Sequence, residues 1–384
     1  MYKIAKMNKI APAGLKHFTD KYEFTDSLSD ASGLILRSQH IHDEKFGENL
    51  LAIARAGTGV NNIPLERCAD EGICVFNTPG GNSNSVKELV LAGLLMASRK
   101  IPSAIRWTAD LKDDPDMAAK VEKGKSKFKG GEIAGKTLGV IGLGAVGSRI
   151  SNAVTALGMH VIGYDAYLSP RTALHLDPTI KLAPDIKTVM RKADFITIHV
   201  PGNDKTRNLV GEEEIAAMKP GAVLMNYSRA FVCDEDAVVK ALNEGRISRY
   251  VTDFATEKTL GHEGVITTPH LGASTKEAED NCALMAADEL MDFIENGNAV
   301  HAVNFPDADL GPMNGDMRIA VMTKGIKAPV DTVIRALNNI EIDAVAGGAK
   351  GDYGYVLVST KTPFEYIPKI PGCIRCRVIA EMED

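Results

Sequence analysis

The chain has 384 residues, 45% hydrophobic and 24% charged, with a formal net charge of −6. This predicts two or three globular domains, each able to bury a core, and excludes a disordered or collagen-like chain. No apolar stretch approaches 18 residues, the first residues lack an apolar signal segment, and no long basic run is present; membrane spans, secretion and nucleic-acid binding are therefore not expected.

Residues 1–97 alternate short apolar runs with helical or turn-rich pieces. Strands are predicted over 33–36, 51–54 and 73–76. Each runs into a polar or glycine-rich loop: Arg37-Ser38, Arg55 to Ile63, and Asn77 to Ser85. Such loops gather at the carboxyl edge of a parallel sheet, where open α/β sheets bind ligands. Residues 86–99 are apolar at helical spacing and predict a helix leading out of this domain. The charged stretch 110–129 predicts a linker or an exposed helix.

Residues 135–150 carry the most specific local signal. Residues 138–141 predict a strand buried on both faces, and Gly142, Gly144 and Gly147 form G-x-G-x-x-G at the start of a predicted helix, 145–157. The first glycine allows a tight turn, the second admits a pyrophosphate to backbone N–H groups, and the third lets helix and strand approach. A second strand, 160–164, ends in Asp165, 18 positions after Gly147. A carboxylate there takes ribose hydroxyls and repels a 2′-phosphate, so NAD is the expected cofactor. Strands over 193–200, 223–226, 250–253 and 265–268 complete a doubly wound domain, and a long helix, 276–296, returns the chain to the first domain.

Residues 299–315 read as a linker rich in Asn, Pro, Gly and Asp. Beyond them the pattern is strand (318–323), helix (330–337) and two strands (342–347, 353–359). This tail is too small to be comfortably stable alone, so it is expected to rest on the body or on another copy. The six cysteines are Cys68, Cys74, Cys233, Cys282, Cys373 and Cys376. The one close pair, Cys373 and Cys376, falls on a predicted strand where positions i and i+3 face opposite ways, which argues against a metal or redox pair. A reducing cytoplasm fits this usage.

Hydride chemistry asks the protein for orientation and a proton carrier. His270, after a strand and before a helix start, is the candidate carrier. Arg229, just after a buried strand, can clamp a carboxylate and polarise a carbonyl. Glu257 could raise the pKa of the histidine and fix its tautomer, or be a solvated loop residue. Asp253 ends a buried strand and needs a partner, for which the nicotinamide carboxamide is suitable. His199 reads as a structural histidine.

Taken together, Arg55 to Ile63, Asn77 to Ser83, Gly135 to Gly144, His199-Val-Pro201, Met218 to Ala222, Asn226 to Ala230 and Thr268 to Ser274 resemble the D-isomer-specific 2-hydroxyacid dehydrogenases over nearly the whole chain. The nearest likeness is to the members that oxidise 3-phospho-D-glycerate to 3-phosphooxypyruvate with NAD, the first step of serine biosynthesis. The resemblance implies a Rossmann-type doubly wound NAD domain (98–280) inserted in a smaller flavodoxin-like α/β substrate domain (1–97 and 281–304). A linker (305–315) and a small α+β ACT-like regulatory or assembly domain (316–384) would follow. It implies the catalytic trio Arg229, Glu257 and His270. Cofactor contacts would come from Gly142, Gly144, Ala145, Val146, Gly147, Asp165, His199, Pro201, Thr206, Asp253 and Gly272. Substrate contacts would come from Arg37, Ser38, Arg55, Ala56, Gly57, Asn77 and Asn82, with no metal. It also implies a homodimer or homotetramer.

The chain departs from the family's pattern at several points. Glu257 lies four places after Asp253 in a shortened loop and precedes Lys258; Asn61 stands where relatives usually carry aspartate; Ala230 follows Arg229 where glycine is usual. In the tail, the second helix expected between residues 360 and 370 is shortened, and residues 324–328 lack the Asn-x-Pro-Gly that would hold serine. Two other readings stay open. One is a reductase of hydroxypyruvate, glyoxylate or 2-oxoglutarate; the other is a non-catalytic NAD-sensing protein.

Overall fold

The computed structural model describes residues 1–315, 317–361 and 366–380. The chain forms two compact units, one of residues 1–82 and 276–384, the other of residues 83–275.

In the first unit, five parallel strands stand in the order Tyr22–Thr25, Tyr2–Met7, Gly33–Leu36, Ala52–Arg55, Cys74–Asn77. This 2-1-3-4-5 order is flavodoxin-like. The last three of these strands are predicted almost to the residue, because four-residue apolar runs closed by a polar loop suit a sheet covered on both faces. The first two strands were not anticipated: Lys3, Lys6 and Glu23 interrupt their apolar pattern. The long helix Lys276–Asn296 covers this sheet; its Ala283, Ala286, Leu290 and Phe293 share one core with Ile4, Ala54 and Phe76.

The C-terminal strands form a four-stranded antiparallel sheet, in the order Ala344–Lys350, Tyr353–Thr360, Met317–Lys324, Cys373–Ala380. Strand alternation gives this sheet two apolar faces. Ile319, Val321, Val356 and Val358 pack with Val333 and Leu337 of the helix region Pro329–Ala336. Ala320, Met322, Tyr355, Leu357 and Ile379 join the core around Phe293. The Tyr355 hydroxyl donates to the Gly297 carbonyl at 2.5 Å, and Arg375 donates to the Leu50 and Glu48 carbonyls. The tail thus rests on the body of its own chain. The stretch 305–315 is not a free linker: Asn298 bonds Gly311 O and Leu310 N, and Arg318 donates to Asn296 O and Gly311 O. The shortened second helix falls partly on residues 362–365, outside the described residues. Cys373 is exposed and Cys376 half-buried on the last strand, both as free thiols.

In the second unit, seven parallel strands stand in the order Val265–Thr267, Ile247–Thr252, Ala222–Asn226, Phe195–Ile198, Thr137–Ile141, His160–Tyr164, Lys181–Leu182. The helix Ser83–Arg99 belongs here and not to the first domain, where the reading 1–97 put it. Its Val86, Val90 and Leu94 pack with Leu138, Val140 and Ile150, so its apolar stripe completes the cover of this sheet. The charged stretch beyond it contains the helices Ile101–Ala109 and Met117–Gly124, steadied by Trp107 against Phe128.

Candidate active site

The strand Thr137–Ile141 lies between Phe195–Ile198 and His160–Tyr164, so the turn after it opens where the strand order reverses. Gly142 has φ +91°, and a Cβ there would lie 2.5 Å from the His199 carbonyl oxygen. A Cβ on Gly147 would lie 1.9 Å from the Gly142 carbonyl oxygen. The chain's own packing demands both glycines. Gly144 differs: it directly precedes the helix Ala145–Ala156, and a Cβ there would meet nothing within 4 Å. Its bare backbone leaves open space before a helix N-terminus, where Ala145 and Val146 begin the first turn. That is the form of a pyrophosphate site, and these residues fit a dinucleotide.

Asp165 is half-buried. Its Oδ2 accepts from Leu143 N and its Oδ1 from Tyr167 N, both at 2.7 Å. The carboxylate locks the glycine turn to the second strand and keeps lone pairs for ribose hydroxyls. His199 bonds the Thr197 hydroxyl through Nε2 at 2.8 Å and stacks on Tyr227. Burial pushes its pKa down to about 3, so the ring stays neutral at working pH, with one N–H and no cationic charge. The Thr206 hydroxyl donates to Pro201 O at 2.6 Å and closes the loop after His199.

Arg229 follows the fully buried strand Ala222–Asn226. The turn is knit by side chains: Asn226 Nδ2 donates to Arg229 O, Ser228 N donates to Asn226 Oδ1, and the Ser228 hydroxyl donates to Ile198 O while accepting from Val200 N. Arg229 Nη1 donates to Ser228 O at 2.7 Å, and burial lowers the guanidinium's pKa from its ordinary value. Gly202 is needed beside it, since a Cβ there would lie 2.5 Å from Arg229 Cγ.

Asp253 is 2% exposed and finds its partners within the chain. Its Oδ1 accepts from the Thr268 hydroxyl at 2.5 Å and from Leu271 N at 2.8 Å; its Oδ2 accepts from Gly272 N at 2.8 Å. The carboxylate thus braces the loop that presents His270. That histidine is exposed and packs against Phe254. Its φ is +58°, a left-handed backbone that its own N–H secures by donating to Asp253 O at 2.9 Å. Glu257 is exposed, and among the described residues it has no hydrogen bond or ion pair; it is not brought onto His270. Sequence reasoning missed Thr268 and Ser228, the two hydroxyls that hold the histidine and arginine turns. Their only signal was their place in the motifs.

The first unit brings its own set together. Arg37, Arg55 and Asn77 close three adjacent parallel strands. Arg55 Nε donates to Arg37 O at 3.0 Å, and Gly57 leaves room for that guanidinium, since a Cβ there would lie 2.1 Å from Arg55 Nη1. Ala56 N donates to Leu36 O, Ser38 N to Asn8 Oδ1, Asn77 Nδ2 to Thr58 O, and the Thr58 hydroxyl to Asn82 Oδ1. Arg37 Nη1 makes an ion pair at 2.7 Å with Glu279, in the first turn of the long helix. Nothing in the sequence marked Glu279, because acids are ordinary in a first helical turn.

Residues 91–272 match the family model described as the NAD-binding domain of the D-isomer-specific 2-hydroxyacid dehydrogenases. The chain is 37% identical over 335 residues to a D-3-phosphoglycerate dehydrogenase of Methanocaldococcus jannaschii, covering 84% of this chain and 61% of that one. It spans about half the length of further curated relatives of that name. An NAD+-bound 3-phosphoglycerate dehydrogenase structure from Entamoeba histolytica superposes with a TM-score of 0.63 at 28% identity, covering 79% of this chain and 98% of that one. A putative D-3-phosphoglycerate dehydrogenase of Schizosaccharomyces pombe is 31% identical, with 82% of this chain and 70% of that one covered. The chain belongs to the D-isomer-specific 2-hydroxyacid dehydrogenases.

Proposed function

We propose that the protein oxidises 3-phospho-D-glycerate to 3-phosphooxypyruvate with NAD, at the entry to serine synthesis. The observation that carries this reading is the pair of arginines, Arg37 and Arg55, at the ends of neighbouring strands. They supply more positive charge than one carboxylate requires. Bound NAD supplies a hydride acceptor. Gly142, Gly144, Ala145, Val146 and Gly147 would hold its pyrophosphate, and Asp165 its adenosine ribose. His199, Pro201, Thr206, Asp253 and Gly272 would shape the rest of its site. His270 takes the substrate's hydroxyl proton, and Arg229 holds the carboxylate and steadies charge on the developing carbonyl. Glu257 would tune His270 once its loop brings it near. Arg37 and Arg55 bind the phosphate, with Ser38, Ala56, Gly57, Asn77 and Asn82 around them. His270→Ala should lower kcat by at least about a hundredfold and leave NADH affinity within about twofold. Wild-type turnover in that variant would reject the assignment.

One observation favours a second reading, a reductase of a singly charged 2-oxoacid such as glyoxylate or hydroxypyruvate. Glu279 already neutralises part of Arg37. Glu279→Gln separates the two: under the first reading KM falls for the phosphorylated substrate alone. Steady-state rates across these acids, with and without serine, decide between them. Tight NADH binding with no turnover of any 2-hydroxy acid would leave the non-catalytic sensor.

The C-terminal sheet is read as an ACT-like assembly module, and the protein as a cytoplasmic homodimer or homotetramer. Exposed Ile101, Ile105 and Met117 support self-association. Light scattering at micromolar concentration tests it. Among the described residues, no helix is long and apolar enough to cross a membrane.

A further inference from the structure

A second concentration of positive charge lies at the other edge of the seven-stranded sheet. The amino ends of the strands Thr137–Ile141, Phe195–Ile198, Ala222–Asn226 and Ile247–Thr252 border a cavity of about 590 Å³. Because the strands are all parallel, this edge faces away from the glycine turn and His270, which follow the carboxyl ends.

Five cations line the cavity, Lys100, Lys129, Lys136, Lys219 and Arg249, against two acids, Glu132 and Asp194. The chain as a whole carries a net charge of −6, so the excess is local. Asp194 is already committed: it pairs with Lys219 at 2.9 Å and accepts from Thr137 N at 2.8 Å. Against the opposing effect of burial, the Lys219 ammonium and the Thr137 N–H, with a smaller effect from Lys136, hold its pKa below the ordinary carboxylate value. Arg249 turns one Nη1 to the Ser248 carbonyl. Among the described residues, no salt bridge engages Lys100, Lys129, Lys136 or Arg249, although surface lysines elsewhere in the chain are commonly paired.

The backbone around the cavity adds two independent features. Lys100 has φ +52°, a left-handed conformation that is unfavourable for a side-chain-bearing residue and suits glycine. A lysine occupies it all the same, at the junction of two helices. Gly131 and Gly221 also border the cavity, and a Cβ on either would meet nothing within 4 Å, so bare backbone faces open space. Like charges gathered around a concave space repel one another until a counter-ion enters, and the walls focus their field.

We propose that this cavity binds a small phosphate-bearing polyanion, at a site separate from the dinucleotide and substrate groups. The bound anion accepts charge-assisted hydrogen bonds from Lys100, Lys129, Lys136 and Arg249, and stabilises the NAD-binding unit by binding only its folded form.

The test is calorimetric titration of the full chain, saturated with NADH, with inorganic pyrophosphate and separately with citrate. The wild-type protein should bind one equivalent of pyrophosphate saturably. Lys100→Gln/Lys136→Gln should weaken that binding by at least about tenfold and leave kcat and the KM for NADH unchanged. Lys129→Gln/Lys136→Gln changes two exposed side chains only, and serves if the first pair disturbs the fold. Arg55→Gln should retain the binding. Lack of saturable binding by wild type overturns the proposal. So does equal affinity in a lysine double variant, or loss confined to Arg55→Gln. Citrate binding without pyrophosphate binding refutes the phosphate assignment.

Discussion

Asp253→Asn tests the claim that His270, the proposed proton carrier, is held by an internal brace. Asp253 is 2% exposed, and its two oxygens accept from the Thr268 hydroxyl, Leu271 N and Gly272 N. Hydrogen bonds to a charged group contribute about 1.5–3 kcal/mol each. Asparagine keeps a carbonyl oxygen for two of the three donors, in weaker neutral form, and sets an N–H donor against Gly272 N–H. Gly272 is buried, so water does not replace the lost acceptor. The sum is a destabilisation of about 2–4 kcal/mol. The loop that carries His270 in its left-handed conformation then loses its anchor, and kcat should fall by more than about tenfold, while NADH affinity changes by less than about threefold. Urea denaturation reads the first effect; steady-state kinetics with an NADH fluorescence titration reads the others. Thr268→Val, which deletes one of the three bonds, should cost about 1–2 kcal/mol. An unchanged denaturation midpoint together with near-wild-type kcat in Asp253→Asn would refute the brace. A large loss of NADH affinity at preserved kcat would instead give Asp253 to the cofactor.

Gly147→Ala and Gly144→Ala should part company: the first drives a Cβ into the Gly142 carbonyl and yields little folded protein. The second folds normally and weakens dinucleotide binding, as differential scanning fluorimetry and NADH titration will read. His199 makes stability depend on pH. Its folded pKa is about 3 against an ordinary 6.5, so between those values the unfolded chain binds a proton that the fold excludes. Its contribution is complete above pH 6.5 and is lost as pH falls through that window. His199→Asn should flatten the slope of urea midpoints measured from pH 7.5 to 4, and parallel slopes in the two proteins would contradict this. Tyr355→Phe removes the hydroxyl bonded to Gly297 O and should destabilise the first unit by about 1 kcal/mol in urea denaturation.

How far the chain could be read depended on the range of the forces involved. Apolar runs ending in glycine or polar turns are local signals, and they located the strands Gly33–Leu36, Ala52–Arg55, Cys74–Asn77, Thr137–Ile141, His160–Tyr164 and Ala222–Asn226, the helix Ala145–Ala156 and the helix Lys276–Asn296 nearly to the residue, and the strands Phe195–Ile198 and Ile247–Thr252 to within three residues. The strands Tyr22–Thr25 and Tyr2–Met7 escaped, because Lys3, Lys6 and Glu23 interrupt their apolar pattern. The candidate site was legible as a set of strand-end residues. The reason each glycine is glycine was not: Gly142 and Gly147 answer to the chain's own carbonyls, Gly144 to open space.

By itself, the sequence determined the parallel α/β character, the glycine turn with Asp165, and the candidates Arg229 and His270, since spacing and residue type suffice for these. Only the tertiary structure decided that Asp253 braces the His270 loop, that Glu279 sits on Arg37, and that Glu257 stands apart from His270. It also joined the helix Ser83–Arg99 to the second unit and the C-terminal sheet to the first. Hydrogen bonds and apolar contacts between residues tens to hundreds of positions apart leave no periodic mark in either partner. Which acid meets which base is therefore settled by packing.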